Sequence, residues 1–156
     1  MTTFFAALTA LFVLSTTNPG YTDFKLPKNW DKDFTINSSF HGSMSGGVTD
    51  IRFTYDSCIY TVESNREKTK KKIYLMTDKD RVAILEKLRS LDVDKIDPKS
   101  EVMVVNDGWS QSICFGIHCI EGGTSVELSE KDKSSFLTAY AYLEQFAIDK
   151  TKKVRN

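Results

Sequence analysis

Between Trp109 and Ile148 the apolar spacing changes once, and the change falls at a helix cap. Ser110 to Ile120 is rich in β-formers, Glu121-Gly122-Gly123-Thr124 reads as a turn, and Ser125 to Leu128 reads as a short strand. Ser129 then precedes Phe136, Leu137, Tyr140, Leu143 and Phe146, which fall on one side of a helix. A hydroxyl at an N-cap accepts from a free amide of the first turn, and apolar residues three and four apart share a face. A chain that carries both periods must layer a sheet against helices, because each element has one apolar face to bury.

The first half follows the same plan. Phe34 to Phe40 opens a strand, and His41 to Gly47 is a glycine-rich turn. Val48 to Tyr55 alternates cleanly, with Ile51, Phe53 and Tyr55 on one face and Arg52 and Thr54 on the other. Asp56-Ser57 reads as a two-residue turn and Cys58 to Glu63 as the return strand. Ser64 to Lys72 reads as a polar loop holding Arg66, Lys68, Lys70, Lys71 and Lys72, and Ile73 to Met76 as a short strand. Thr77-Asp78-Lys79-Asp80 is a capping box with Asp in place of Glu, followed by Val82, Ile84, Leu85, Leu88 and Leu91. Pro98 marks the stop, Val102 to Val105 is strand-like, and Asn106-Asp107-Gly108 is a hairpin signal.

Ser129-Glu130-Lys131-Asp132 matches Thr77-Asp78-Lys79-Asp80 at an offset of 52 (129 − 77), and the same offset takes Ile84 to Phe136 and Leu88 to Tyr140. The expectation is an α+β fold: an antiparallel sheet of six to seven strands with two amphipathic helices on one face, built from a duplicated hairpin-strand-helix unit. The domain would span residues 33–148, with repeats at 48–97 and 100–148, a linker at 21–32 and a basic tail at 149–156.

Residues 1–20 carry no charge, and Phe4 to Leu14 is an apolar run followed by small and polar residues. That order is the order of a signal peptide, and the run is too short to span a bilayer. The expected protein is therefore exported, periplasmic or secreted, with no transmembrane span once the signal is removed. No Cys follows the apolar run, so a lipoprotein anchor is not supported. Lys+Arg and Asp+Glu both number 21, which leaves no global field toward nucleic acid or anionic lipid.

The cysteines are Cys58, Cys114 and Cys119. If the Ser110–Ile120 stretch is extended, Cys114 and Cys119 lie about 17 Å apart, beyond disulfide reach. Cys119 then shares a face with Ile113, Phe115 and Ile117, and Cys58 shares one with Tyr60 and Val62. Cys58 with Cys119 is the preferred pair, against three buried thiols as the alternative.

No constellation for chemistry stands out. His118 and Cys119 are neighbours, which in a strand face opposite ways. His41, His118 and the cysteines lack the short-spaced pairs a zinc site uses. Gly42 to Gly47 runs into a strand, without the helix N-terminus that a phosphate cradle needs. No catalytic residue, metal or cofactor is assigned.

Phe34-Thr35-Ile36 before a glycine-rich turn, Ile51-Arg52-Phe53, Asn106-Asp107-Gly108-Trp109 and a capped C-terminal helix together resemble the small exported α+β proteins of Bacteroidetes. The resemblance implies export and this fold class, and it transfers no site.

The sequence thus points to a non-enzymatic exported domain that binds a protein or an envelope component, with a small secreted hydrolase or an inhibitor-like module as alternatives. Parity places Ser112, Cys114, Gly116, His118 and Ile120 on the open side of the sheet, with Arg52 and Thr54. Arg52, Trp109 and His118 are the expected contacts, Arg and Trp being enriched at hot spots.

Overall fold

A computed structural model of the chain describes residues 24–42, 47–64, 67–96, 108–124 and 126–153. Among these, six strands form one sheet: β1 (Ile36–His41), β2 (Val48–Phe53), β3 (Ser57–Ser64), β4 (Glu67–Leu75), β5 (Ser110–Phe115) and β6 (His118–Gly123). Their order is β4-β3-β2-β1-β5-β6, and every pairing is antiparallel. Two helices follow the strand runs, α1 (Asp78–Ser90) and α2 (Glu130–Lys153). The α+β class and the antiparallel sheet are as the sequence predicts.

The first four strands form a meander, and β5 returns to pair with the free side of β1. Alternation decides what is buried. Ile36 and Ser38 on β1, Ile51 and Phe53 on β2, Cys58 on β3, Ile113 and Phe115 on β5 and Ile120 on β6 are all buried. Helix α2 lies against this set: Phe146 meets Phe53 edge-on at 6.0 Å, and Phe136 sits on Gly122. The absence of a side chain at Gly122 makes room, because a Cβ there would come within 2.2 Å of the Phe136 ring.

Both caps form as the sequence predicts. The Asp80 amide donates to Thr77 Oγ1 at 3.3 Å while the Thr77 amide donates to Asp80 Oδ2 at 2.9 Å. The Asp132 amide donates to Ser129 Oγ at 3.2 Å. The stripes differ in detail. On α1, Ile84, Leu85 and Leu88 are buried but Val82 is 54% exposed, and Arg81 is buried instead. Arg81 stacks on Tyr55 and donates to the carbonyls of Tyr55 and Met76 and to the Asp78 carboxylate. On α2 the buried positions are Phe136, Ala139, Tyr140, Leu143 and Ala147, whereas Leu137 is 38% exposed. One residue on a helix turns the side chain by about 100°, so Leu137 rotates away from Phe136. Ala139 and Ala147 complete the buried face.

Several boundaries move. The basic run expected as a loop is instead the nine-residue strand β4, which carries Lys68, Lys70, Lys71 and Lys72 at the edge of the sheet. The Asp56-Ser57 turn is centred one residue earlier, since the Thr54 amide donates to the Ser57 carbonyl at 2.8 Å. Ser110 to Ile120 is not one strand but a hairpin that reverses at Gly116-Ile117. Gly122 and Gly123 belong to β6, and Val126 makes only an isolated bridge where a strand was expected. The stretch expected as a linker packs from Phe24 onward: Leu26 and Trp30 are buried, and the Trp30 indole donates to the Phe34 carbonyl at 2.8 Å. The expected tail begins inside α2, where Lys150 bonds the Asp80 carboxylate and ties the two helices together. The signal-like segment, Arg66, Pro98, Val102 to Val105 and Asn106-Asp107 lie outside the described residues.

Candidate functional site

The sheet face opposite the buried set is continuous across all the strands. One row runs Ile73, Ile59, Arg52, Asn37, Cys114, Cys119 from β4 to β6. The next runs Lys71, Thr61, Asp50, Ser39, Ser112, Glu121. Not one of these twelve side chains is buried. Ser39 and Ser112 exchange a hydroxyl hydrogen bond at 2.7 Å in the middle of the face. Beside them Asn37, Asp50, Arg52, Ile59, Thr61 and Lys71 line a depression of about 330 Å³. At the β4 end Ile73 and Leu75, 62% and 81% exposed, lie beside the exposed Lys71.

The three expected contact residues do not meet. Arg52 is exposed on this face, between Asn37 and Ile59, as its parity predicts. His118 lies on the other side. It registers opposite Phe115 and stacks on Phe24 at 4.5 Å, and Phe24 in turn stacks on Phe115. Its Nε2 is buried with no hydrogen-bond partner among the described residues, and burial holds its pKa below the ordinary value. Trp109 sits before β5, near Phe40, and lines a cavity of about 440 Å³ with Phe136, Leu137, Leu128 and Gly122. The hairpin explains the error. A two-residue reversal swaps the parity of everything after it, so Ile120 is buried and Ile117 is fully exposed at the tip.

The same reversal overturns the expected cysteine pair. Cys114 and Cys119 register directly opposite each other, with Cα atoms 4.0 Å apart, and form a disulfide. Gly116 has φ +61°, and Ile117 is not among the positive-φ residues, which is the pattern of a type II′ turn with Gly first. A two-residue turn makes Phe115 and His118 the hydrogen-bonded pair, so the next pair out is the close one. Cys58 is a free, buried thiol whose pKa is pushed up to about 12, chiefly by burial, with Lys150 partly opposing. It is therefore a poor nucleophile at neutral pH. The sequence offered one signal for the disulfide, the Phe-Gly-Ile-His stretch between the cysteines, whose Gly can begin a II′ turn.

A further cavity of about 430 Å³ lies between the N-terminal segment and α1, with Trp30, Tyr55, Arg81 and Arg89 in its wall. Arg89 donates to the Pro27 and Lys28 carbonyls, and the Arg81 guanidinium is engaged as above, so both cations act in packing. Among the described residues no three His, Cys, Asp or Glu side chains are grouped to hold a metal ion, and no helix is long and apolar enough to cross a membrane. The chain matches no protein-family model, and no curated protein matches it.

Proposed function

We propose that the chain is an exported, non-enzymatic binding domain that docks a protein or cell-envelope component on the face carrying Arg52. The observation that carries this reading is the composition of that face. It sets Arg52, Asp50 and Lys71 beside the exposed Ile73 and Leu75, with nothing buried across two full rows. Charged anchors beside exposed apolar area are what a docking surface uses. In this reading both helices serve the opposite face and so keep this one clear. The matching caps at Thr77 and Ser129 support descent of the two halves from one hairpin-strand-helix unit. Export rests on the uncharged apolar segment in residues 1–20 and on the resemblance to small exported proteins of Bacteroidetes.

The test is comparative capture from an envelope extract by immobilised wild type and Arg52→Glu protein of equal thermal stability. A partner retained by wild type and lost by the variant supports the reading, and equal recovery removes this face. Intact-mass measurement of the exported protein tests processing: the mature chain should begin between Ser15 and Asp23, and retention of Met1 ends the export reading.

A further inference from the structure

Edge strands are protected by being short, bulged or covered, or by charged side chains, lysine above all. Among the described residues β4 is the longest strand, at nine residues, and ends the sheet, and it relies on lysines rather than on shortness. Its irregularity is confined to the end near Ser64, and from Lys70 to Leu75 its register with β3 is regular. Lysines on an edge discourage pairing with a second lysine-bearing edge, and β4 against its own copy would set Lys71 and Lys72 near one another. Solubility alone does not account for the rest of the strand. Ile73 and Leu75 are left exposed, and Lys71 and Lys72 register against Thr61 and Tyr60, which carry no negative charge. Alternation sends Lys71 to the open face with Ile73 and Leu75, and Lys72 to the opposite one. Positive charge therefore lies on both faces of the β4 edge, within a chain whose formal charge is zero.

We propose that β4 accepts an extended acidic segment of a partner protein as an additional antiparallel strand. Backbone hydrogen bonds supply the affinity, as in other strand additions. Consecutive Asp and Glu residues, projecting to both faces, answer Lys71, Lys72 and Lys68, and apolar residues ahead of them cover Ile73 and Leu75. The inference is separate from docking on the Arg52 face, because it engages the edge and its backbone groups.

The probe is a fluorescein-labelled peptide matched to the nine residues of β4, with alternating β-branched residues followed by an Asp/Glu run. A second copy of the peptide, N-methylated at alternate backbone positions, keeps the charge and loses the donors. Fluorescence anisotropy with the full chain should show binding of the first peptide and not the second. Lys71→Glu/Lys72→Glu should weaken it by about tenfold or more, since opposed cross-strand charges become like charges. Hydrogen exchange at the β4 amides should slow on peptide addition. Arg52→Glu should bind the peptide as wild type does, which keeps this test distinct from that of the open face. Equal binding of the two peptides would mean simple charge attraction and would overturn the proposal. So would absence of binding, or equal binding by the Lys71→Glu/Lys72→Glu variant.

Discussion

Among the described residues β4 and β6 close the two ends of one sheet, yet they are held by different means. β6 is six residues long, tied to β5 by the Cys114–Cys119 disulfide and pressed by Phe136 where Gly122 leaves space. His118 at its start is stacked under Phe24. β4 is nine residues long and has no such staple; its partner strand β3 carries the buried Cys58, a thiol with no disulfide. Lys68, Lys70, Lys71, Lys72 and the exposed Ile73 and Leu75 make up most of β4, while Tyr74 packs against the core. One edge is stapled by a disulfide and packed under Phe136, while the other is held by its ladder to β3 and by Tyr74 on the core. The contrast teaches that the same architectural problem, a strand that ends a sheet, can be met by packing and a disulfide or by charge.

The largest difference between the edges should appear on truncation. Phe136→Ala should cost about 3–5 kcal/mol, as buried Phe truncations do. Leu75→Ala, at an 81% exposed position on β4, should stay within about 0.5 kcal/mol. Urea midpoints at constant slope measure both, and similar losses would erase the distinction. Next in size is the staple. Cys114→Ser/Cys119→Ser should cost about 2 kcal/mol, the chain-entropy value for so short a loop. It should raise hydrogen exchange in β5 and β6 while leaving β4 unchanged. Faster exchange in β4 would show that the two ends are one cooperative unit.

A smaller effect concerns His118. Burial lowers its folded pKa below 6.5, so the unfolded chain binds more protons in the window beneath that value. The stability due to neutral His118 is full above this window and is lost as pH falls through it toward the folded pKa. His118→Phe should flatten that part of the stability profile, and an unchanged slope would place the titration elsewhere. The smallest expected effect is that of Lys71→Glu/Lys72→Glu on folding itself, within about 0.5 kcal/mol, because both side chains are exposed. A larger loss would mean that the lysines serve the fold rather than recognition.

Elements with strong local signals were legible. The capping boxes at Thr77 and Ser129, the alternation of Ile51, Arg52 and Phe53, and the helical stripes each depend on residues a few positions apart. Arg52 was placed correctly for that reason. The hairpin at Gly116-Ile117 was not, because the β-rich run masks a two-residue turn whose one marker is a single Gly. From that miss came the wrong cysteine pair and the wrong faces for His118 and Ile120.

By itself the sequence determined the α+β class, the antiparallel sheet, the two caps and most of the buried apolar positions, since these follow from spacing and from what a backbone amide can bond. Only the tertiary structure decided which strands end the sheet, that the lysine run is one of them, that Cys114 meets Cys119 and that Leu137 turns outward while Ala139 and Ala147 pack. Those outcomes depend on which distant surfaces come together, and packing rewards fit between elements that no short window of sequence contains.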